Sequence, residues 1–119
     1  MAIAHLKSGE IADVKPLGGN LAETVSHALF KARDLEVARL VLRAGEGMPP
    51  HSVAGEITLQ CIEGRIAFMC DAGERELAAG QLVQLNGNEL HALRAIEDAS
   101  LLLTIALKTG AAGSVSPAA

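Results

Sequence analysis

The sequence predicts an all-β fold of one domain, arranged as a sandwich or barrel. Turn signals built from Gly, Asn and Asp recur about every eight to twelve residues from Gly18 onward, and the runs between them have the length of short strands. Within residues 57–62, odd positions present Ile57, Leu59 and Cys61 to one side, while even positions present the other side. This alternation is typical of strands with one face against a core.

Taken in chain order, the runs between turns predict eight strands. They are residues 24–31, 36–43, 57–62, 65–70, 75–77, 82–85, 91–95 and 100–108. A helix is the weaker alternative over residues 21–32, where Ala and Leu are frequent, because Thr24 and Val25 interrupt that pattern.

The length and composition predict one hydrophobic core and argue against nucleic acid and membranes as partners. With 119 residues, half of them hydrophobic, the chain is long enough for a single domain over residues 1–109, followed by a Gly, Ala and Ser tail at 110–119 that we expect to be flexible. Aromatic residues are 2% and the net charge is -4, which argues against nucleic acid as a partner. We expect no membrane partner, because the longest apolar run, 101–107, is far shorter than a membrane span.

The sequence also predicts the cellular compartment and the redox state of the two cysteines. The first fifteen residues are interrupted by His5, Lys7, Glu10 and Asp13, so they lack the apolar core of a secretory signal, and we expect a cytoplasmic protein. The two cysteines form no CxxC pair and are expected to be reduced. No lysine follows Gly18-Gly19 as a phosphate-binding loop requires, and no nucleophilic triad can be inferred, which disfavours nucleotide-binding and hydrolase functions.

One segment resembles the first motif of the cupin family, whose members are small barrels. That motif runs Gly, five residues, His, one residue, His, three or four residues, Glu, six residues, Gly. In this chain Gly45 and His51 occupy the first two positions, and Gly64 occupies the last. Val53 stands at the second His position and Ile57 at the Glu position, so the spacing matches while two of its three metal ligands are replaced.

A second segment resembles the family's second motif, which runs Gly, five residues, Pro, one residue, Gly, two residues, His, three residues, Asn. Gly80 begins the segment, Asn86 and Asn88 stand at the Pro and Gly positions, and His91 keeps the single ligand. Ala95 replaces the last residue. The two motifs occur in the family's order, fifteen residues apart, and cover about half the chain. The resemblance implies a small, RmlC-like cupin: a double-stranded β-helix, or jelly-roll-like, barrel.

The same resemblance implies that His51 and His91 meet in the mouth of the barrel, although forty positions separate them. Two neutral imidazoles suit one divalent metal such as iron, zinc, nickel or manganese. A stable site normally needs at least three protein ligands. Glu56 is the candidate for a third: in a regular strand it points away from Ile57 and from the site, whereas a turn at Ala54-Gly55 would let it swing inward.

These residues support two function hypotheses that the sequence leaves open. In the first, a small molecule binds in the barrel beside a metal held by His51 and His91, with help from Glu56. In the second, the chain is a metal-free ligand-binding or sensor module, with an apolar pocket formed by Val53, Ile57, Leu59 and Cys61.

The resemblance does not identify catalysis. An enzyme of this kind would be a metal-dependent dioxygenase, isomerase or decarboxylase, and a regulatory dimer without activity is the third alternative. We expect a homodimer, formed through the exposed strand edges or the N-terminal strands 24–43.

Overall fold

The computed structural model describes residues 5–107, which fold into nine antiparallel strands in two sheets. A six-residue 3-10 helix, Gly18–Glu23, precedes the strands. They are β1 His27–Lys31, β2 Leu35–Leu42, β3 Gly47–His51, β4 Ile57–Glu63, β5 Arg65–Cys70, β6 Gly73–Ala78, β7 Leu82–Leu85, β8 His91–Ala95 and β9 Ala99–Ala106. One sheet has the order β1-β2-β9-β4-β7 and the other the order β3-β8-β5-β6. The predicted all-β fold is confirmed.

In the N-terminal part of the chain, the structure differs from the prediction at the start of the first strand. The first strand begins at His27 rather than at Thr24, because the 3-10 helix continues to Glu23 and the Thr24 hydroxyl donates back to the Asn20 carbonyl. The alternative helix over 21–32 does not form. The predicted end of the last strand at Lys108, like the tail at 110–119, lies outside the described residues.

Strand β3 is the element that the sequence analysis missed. It carries Pro49 and Pro50, which have no backbone N–H to donate to a ladder. The fold tolerates them because β3, among the strands of residues 5–107, is an edge strand paired with β8 alone, and its register shifts between Met48 and His51.

The two sheets face each other across one core, and the alternation predicted for β4 is present. Ile57, Leu59 and Cys61 point inward and are buried. Buried side chains fill one end of the barrel: Leu42, Cys61, Ile66, Phe68, Leu77, Ala95, Ala99 and Leu101. The same strands continue toward the other end, where β3 and β8 carry the two histidines.

Within residues 5–107, no helix is long and apolar enough to cross a membrane. The cytoplasmic location and the homodimer stay predictions.

A carboxylate fastens the segment before β1 to the outer face of the larger sheet. Glu63 accepts hydrogen bonds from the Leu17 and Gly18 amides, at 2.8 and 3.1 Å, and from the Ser100 hydroxyl at 2.5 Å. Arg39, only 3% exposed, donates from Nη2 to the Lys15 carbonyl at 2.9 Å. Burial acts to raise the pKa of Glu63, but these hydrogen bonds and the positive charge of Arg39 outweigh it, so the pKa is lowered.

Glu63→Gln is therefore expected to lower the free energy of unfolding at neutral pH by about 1–2 kcal/mol, because hydrogen bonds to a charged acceptor become bonds to a neutral one. A lowered folded-state pKa stabilises the fold above the unfolded value of about 4.3, and this stabilisation is lost as the pH falls through the folded value. Urea unfolding from about pH 7 down to about pH 3 should thus show a shallower acid-side loss in the variant than in the wild type.

The matched control for this prediction is Glu76→Gln, in which the exposed β6 carboxylate that pairs with Arg65 loses its charge. Exposed pairs contribute little, so the control should stay within about 0.5 kcal/mol of the wild type. Parallel stability curves for Glu63→Gln and the wild type would contradict the proposed role of the carboxylate.

Candidate functional site

Two histidines face each other at the open end of the barrel. His51 is the last residue of β3 and His91 the first of β8, and the antiparallel register places them directly opposite one another. Their ring centroids are 4.4 Å apart, with ring planes tilted by 58°. His51 is half-buried and His91 is 7% exposed. The structure therefore brings together the two imidazoles that the motif spacing singled out.

The backbone holds both rings in the same way. Nδ1 of His51 lies 3.0 Å from the Pro49 carbonyl oxygen, and Nδ1 of His91 lies 2.9 Å from the Glu89 carbonyl oxygen. Because a carbonyl oxygen only accepts hydrogen bonds, each Nδ1 carries the proton and donates it. In the neutral ring the remaining lone pair is then on Nε2.

Tight turns position the segments that carry these rings. Asn88 adopts a positive φ of 65° before β8, and its amide donates to the Val53 carbonyl at 2.7 Å. A Cβ on Gly87 would collide with the Ala54 carbonyl oxygen, so only glycine permits this close approach. The loop after β3 and the turn before β8 are thereby joined beside the mouth.

A cavity of about 60 Å³ lies between the two sheets next to the histidines. This is about four to six times the space that a single buried water requires. Its wall consists of the two histidines and eight apolar residues: Leu40, Met48, Val53, Ile57, Leu59, Leu93, Leu103 and Ile105. Among residues 5–107, the two imidazoles are therefore the only titratable groups in the wall of this cavity.

Three of the four residues predicted for the ligand pocket, Val53, Ile57 and Leu59, do line the cavity. Cys61, two residues beyond Leu59 in β4, does not line it and is fully buried in the hydrophobic core. Its thiol donates to the Glu63 carbonyl at 3.3 Å, and burial raises its pKa. Cys61 fills the core and is corrected from a pocket residue to a core residue.

The sequence analysis missed five lining residues. They are Leu40, Met48, Leu93, Leu103 and Ile105, contributed by β2, β3, β8 and β9. The alternation of β8 and β9 was visible in the sequence and could have indicated Leu93, Leu103 and Ile105. Met48 could not be found, because its strand was not predicted.

Glu56, the predicted third ligand, does not join the histidines. It is exposed, and it precedes β4, where its carbonyl accepts a hydrogen bond from the Ala106 amide at 3.0 Å. The next residue, Ile57, is 6% exposed and lines the cavity, and neighbouring side chains of an extended chain point to opposite sides. The outward orientation of Glu56 is therefore the one observed.

The donors present do not complete a metal site made by the protein alone. Across residues 5–107, no group of three or more His, Cys, Asp and Glu side chains is placed to hold a metal ion. Two imidazoles offer two nitrogen donors, whereas stable divalent sites use three or four protein ligands. Val53 and Ile57 place apolar side chains where further donors would be needed.

An apolar depression lies on the outer side of the mouth and shares His91 with the cavity. It measures about 180 Å³ and includes Pro50, Met69 and Leu90 in its lining. Met69 is 48% exposed and Leu90 57% exposed. Cys70 and Asp71 also line the depression, so the outer approach to His91 is largely apolar but includes one carboxylate.

Comparison with known proteins identifies the fold. No protein-family model matches the chain, and no curated protein matches it. Among solved structures, it is similar to a conserved protein of unknown function, SPY1581 from Streptococcus pyogenes, with a TM-score of 0.70, 21% identity, and coverage of 92% of this chain and 97% of that one.

The chain is also similar to two further solved structures. A cupin superfamily protein, DSY2733 from Desulfitobacterium hafniense, matches with a TM-score of 0.72 at 15% identity, over 88% of this chain and all of that one. Bacillus subtilis oxalate decarboxylase, described with Mn(II) centres, matches with a TM-score of 0.59 at 18% identity, over 63% of this chain and 22% of that one. The two antiparallel sheets and these matches together establish that the chain has the cupin fold.

Proposed function

We propose that the chain binds a small, mainly apolar molecule in the cavity between its sheets, without a metal held by protein ligands alone. The supporting observation is the composition of the cavity wall, in which eight apolar residues surround two adjacent imidazoles. Apolar walls supply affinity for small ligands, and a few convergent polar groups orient them. The function we propose is thus that of a ligand-binding module rather than of a metal-dependent catalyst.

A second candidate keeps a divalent metal at the two histidines. The backbone-anchored Nδ1 atoms favour it, because metal-binding imidazoles commonly donate the other ring N–H to a carbonyl. With two protein donors, we expect any such complex to be weak.

Toluene and Zn²⁺ are the probes that separate these two candidates. In metal-free protein, toluene is expected to shift the methyl NMR signals of Ile57, Leu103 and Ile105, whereas calorimetry with Zn²⁺ should find no binding tighter than about millimolar. Val53→Phe, which fills the cavity, should abolish the toluene shifts. Val25→Phe makes the same change at an exposed position and should leave them intact.

Micromolar Zn²⁺ binding that disappears in His51→Leu, together with no response to toluene, would overturn the proposal in favour of the metal site.

A further inference from the structure

The tautomers of the two histidines determine which hydrogen-bonding groups the cavity can recognise. Both Nδ1–H groups are engaged by backbone carbonyls, at 3.0 Å for His51 and 2.9 Å for His91. A neutral imidazole has one N–H, so the other nitrogen of each ring can only accept. In each of the two histidines that line the cavity, the ring nitrogen that the backbone leaves free is therefore an acceptor.

The acceptor nitrogens are not used by the protein. Among the hydrogen bonds of residues 5–107, none involves Nε2 of either ring. Over the same residues, the one buried side-chain nitrogen or oxygen without a partner is Nη1 of Arg39, on the outer face of the larger sheet. Since Nε2 of His91 also has no partner, it must remain in contact with accessible space, and both rings line the cavity.

From this arrangement, we propose that the cavity selects small neutral molecules that carry a hydroxyl donor, namely alcohols and phenols, over carbonyl compounds and carboxylates. The proposal rests on the ligand-binding function proposed above and specifies its ligand class. A hydroxyl donates to an Nε2 lone pair while its apolar body contacts residues such as Leu59 and Leu103.

Carbonyl and carboxylate ligands are disfavoured for a physical reason. Their oxygens only accept, so in this wall they would lose their hydrogen bonds to water and gain none in return. In the part of the chain that the structure describes, no Lys or Arg lines the cavity to compensate a carboxylate charge. A site that recognises a hydrogen-bonding group discriminates strongly against analogues that lack it, because its own polar atoms are then left unpaired.

Phenol, toluene and benzoate form the test series, because they differ in one substituent on the same ring. Calorimetry is done on the whole chain with a chelator present, at about pH 8. Phenol is expected to bind about tenfold more tightly than toluene, which corresponds to about 1.4 kcal/mol, and benzoate more weakly than toluene.

Histidine variants assign the preference to the two rings. In His51→Leu and His91→Leu, the preference for phenol over toluene should fall or vanish, while retained toluene binding shows that the cavity is still folded. His27→Leu is the matched control, because His27 makes the same ring contact with a carbonyl two residues before it, at 2.8 Å, but lies in β1 and outside the cavity. The His27→Leu variant should prefer phenol over toluene by the same factor as the wild type.

The outcomes distinguish failure of this inference from failure of the proposed function. Equal affinity for phenol and toluene, a preference for benzoate, or a phenol preference that survives both histidine variants would overturn the ligand class and leave the cavity as a binding site. No binding of any of the three compounds, with unchanged methyl signals, would overturn the proposed function as well.

Discussion

Val53→His combined with Ile57→Glu is expected to turn the cavity into a tight zinc site. Both residues line the cavity beside the two histidines, at the positions where the cupin motif has its other ligands. The double variant would therefore offer four donors in place of two, and three or four protein ligands are what divalent metals require. We expect its affinity for Zn²⁺ to exceed that of the wild type by at least about two orders of magnitude.

The stability of the same variant gives an independent measurement. Without metal, a carboxylate introduced at the buried position 57 should destabilise the protein, because burial without a partner costs free energy. Zn²⁺ at about 100 times its Kd should then restore about 2.7 kcal/mol, seen as a higher melting temperature.

Adding His91→Leu to the double variant is the control for this prediction, since it removes one donor and leaves the new ones in place. If zinc bound equally well with and without His91, the ions would be held elsewhere, and the expectation that positions 53 and 57 complete a site with the two histidines would be wrong.

Gly64→Ala is expected to be the most destabilising single change in the turn between β4 and β5. Gly64 has a φ of +83°, where an L-residue is strained, and an added Cβ would collide with the Asp98 carbonyl oxygen and lie 2.8 Å from the Ala99 Cα. Both obstacles are backbone and cannot rotate away. We expect a loss of at least about 3 kcal/mol in the free energy of unfolding.

Gly80→Ala separates conformational strain from the collision. Gly80 has nearly the same φ, +89°, but no atom within 4 Å of an added Cβ, so its variant should lose only about 1–2 kcal/mol. Urea unfolding of both variants measures the difference. If the two variants lost the same free energy of unfolding, the backbone at Asp98 and Ala99 would have to move away from the added Cβ. The close contact at Gly64 would then add nothing to the destabilisation.

Much of the fold could be predicted because local patterns and long-range packing agree. Alternation in β4 and glycine at the Gly64 turn follow from backbone geometry alone. The pairing of His51 with His91 was reached differently, through the resemblance of two motifs, since no local pattern relates residues forty positions apart.

The remaining errors have physical causes that a single sequence hides. Prolines disfavour a strand in general, and only the tertiary arrangement made β3 an edge where they fit. Cys61 shares the inward face with Leu59, and alternation cannot tell at which depth along a barrel the cavity ends. The side chain of Glu56 points away from Ile57 only if the backbone is already extended at Glu56, and the sequence does not show whether the preceding turn ends before this residue.

The two prolines of β3 also affect how the mouth behaves at high protein concentration. An outer strand offers free amides that another polypeptide can use to extend the sheet, but Pro49 and Pro50 offer none beside His51. A second copy of the chain is therefore hindered from pairing with the free edge of β3 and covering the mouth of the barrel. Access of small molecules to the imidazoles should then be insensitive to crowding, wherever else on the surface the copies associate.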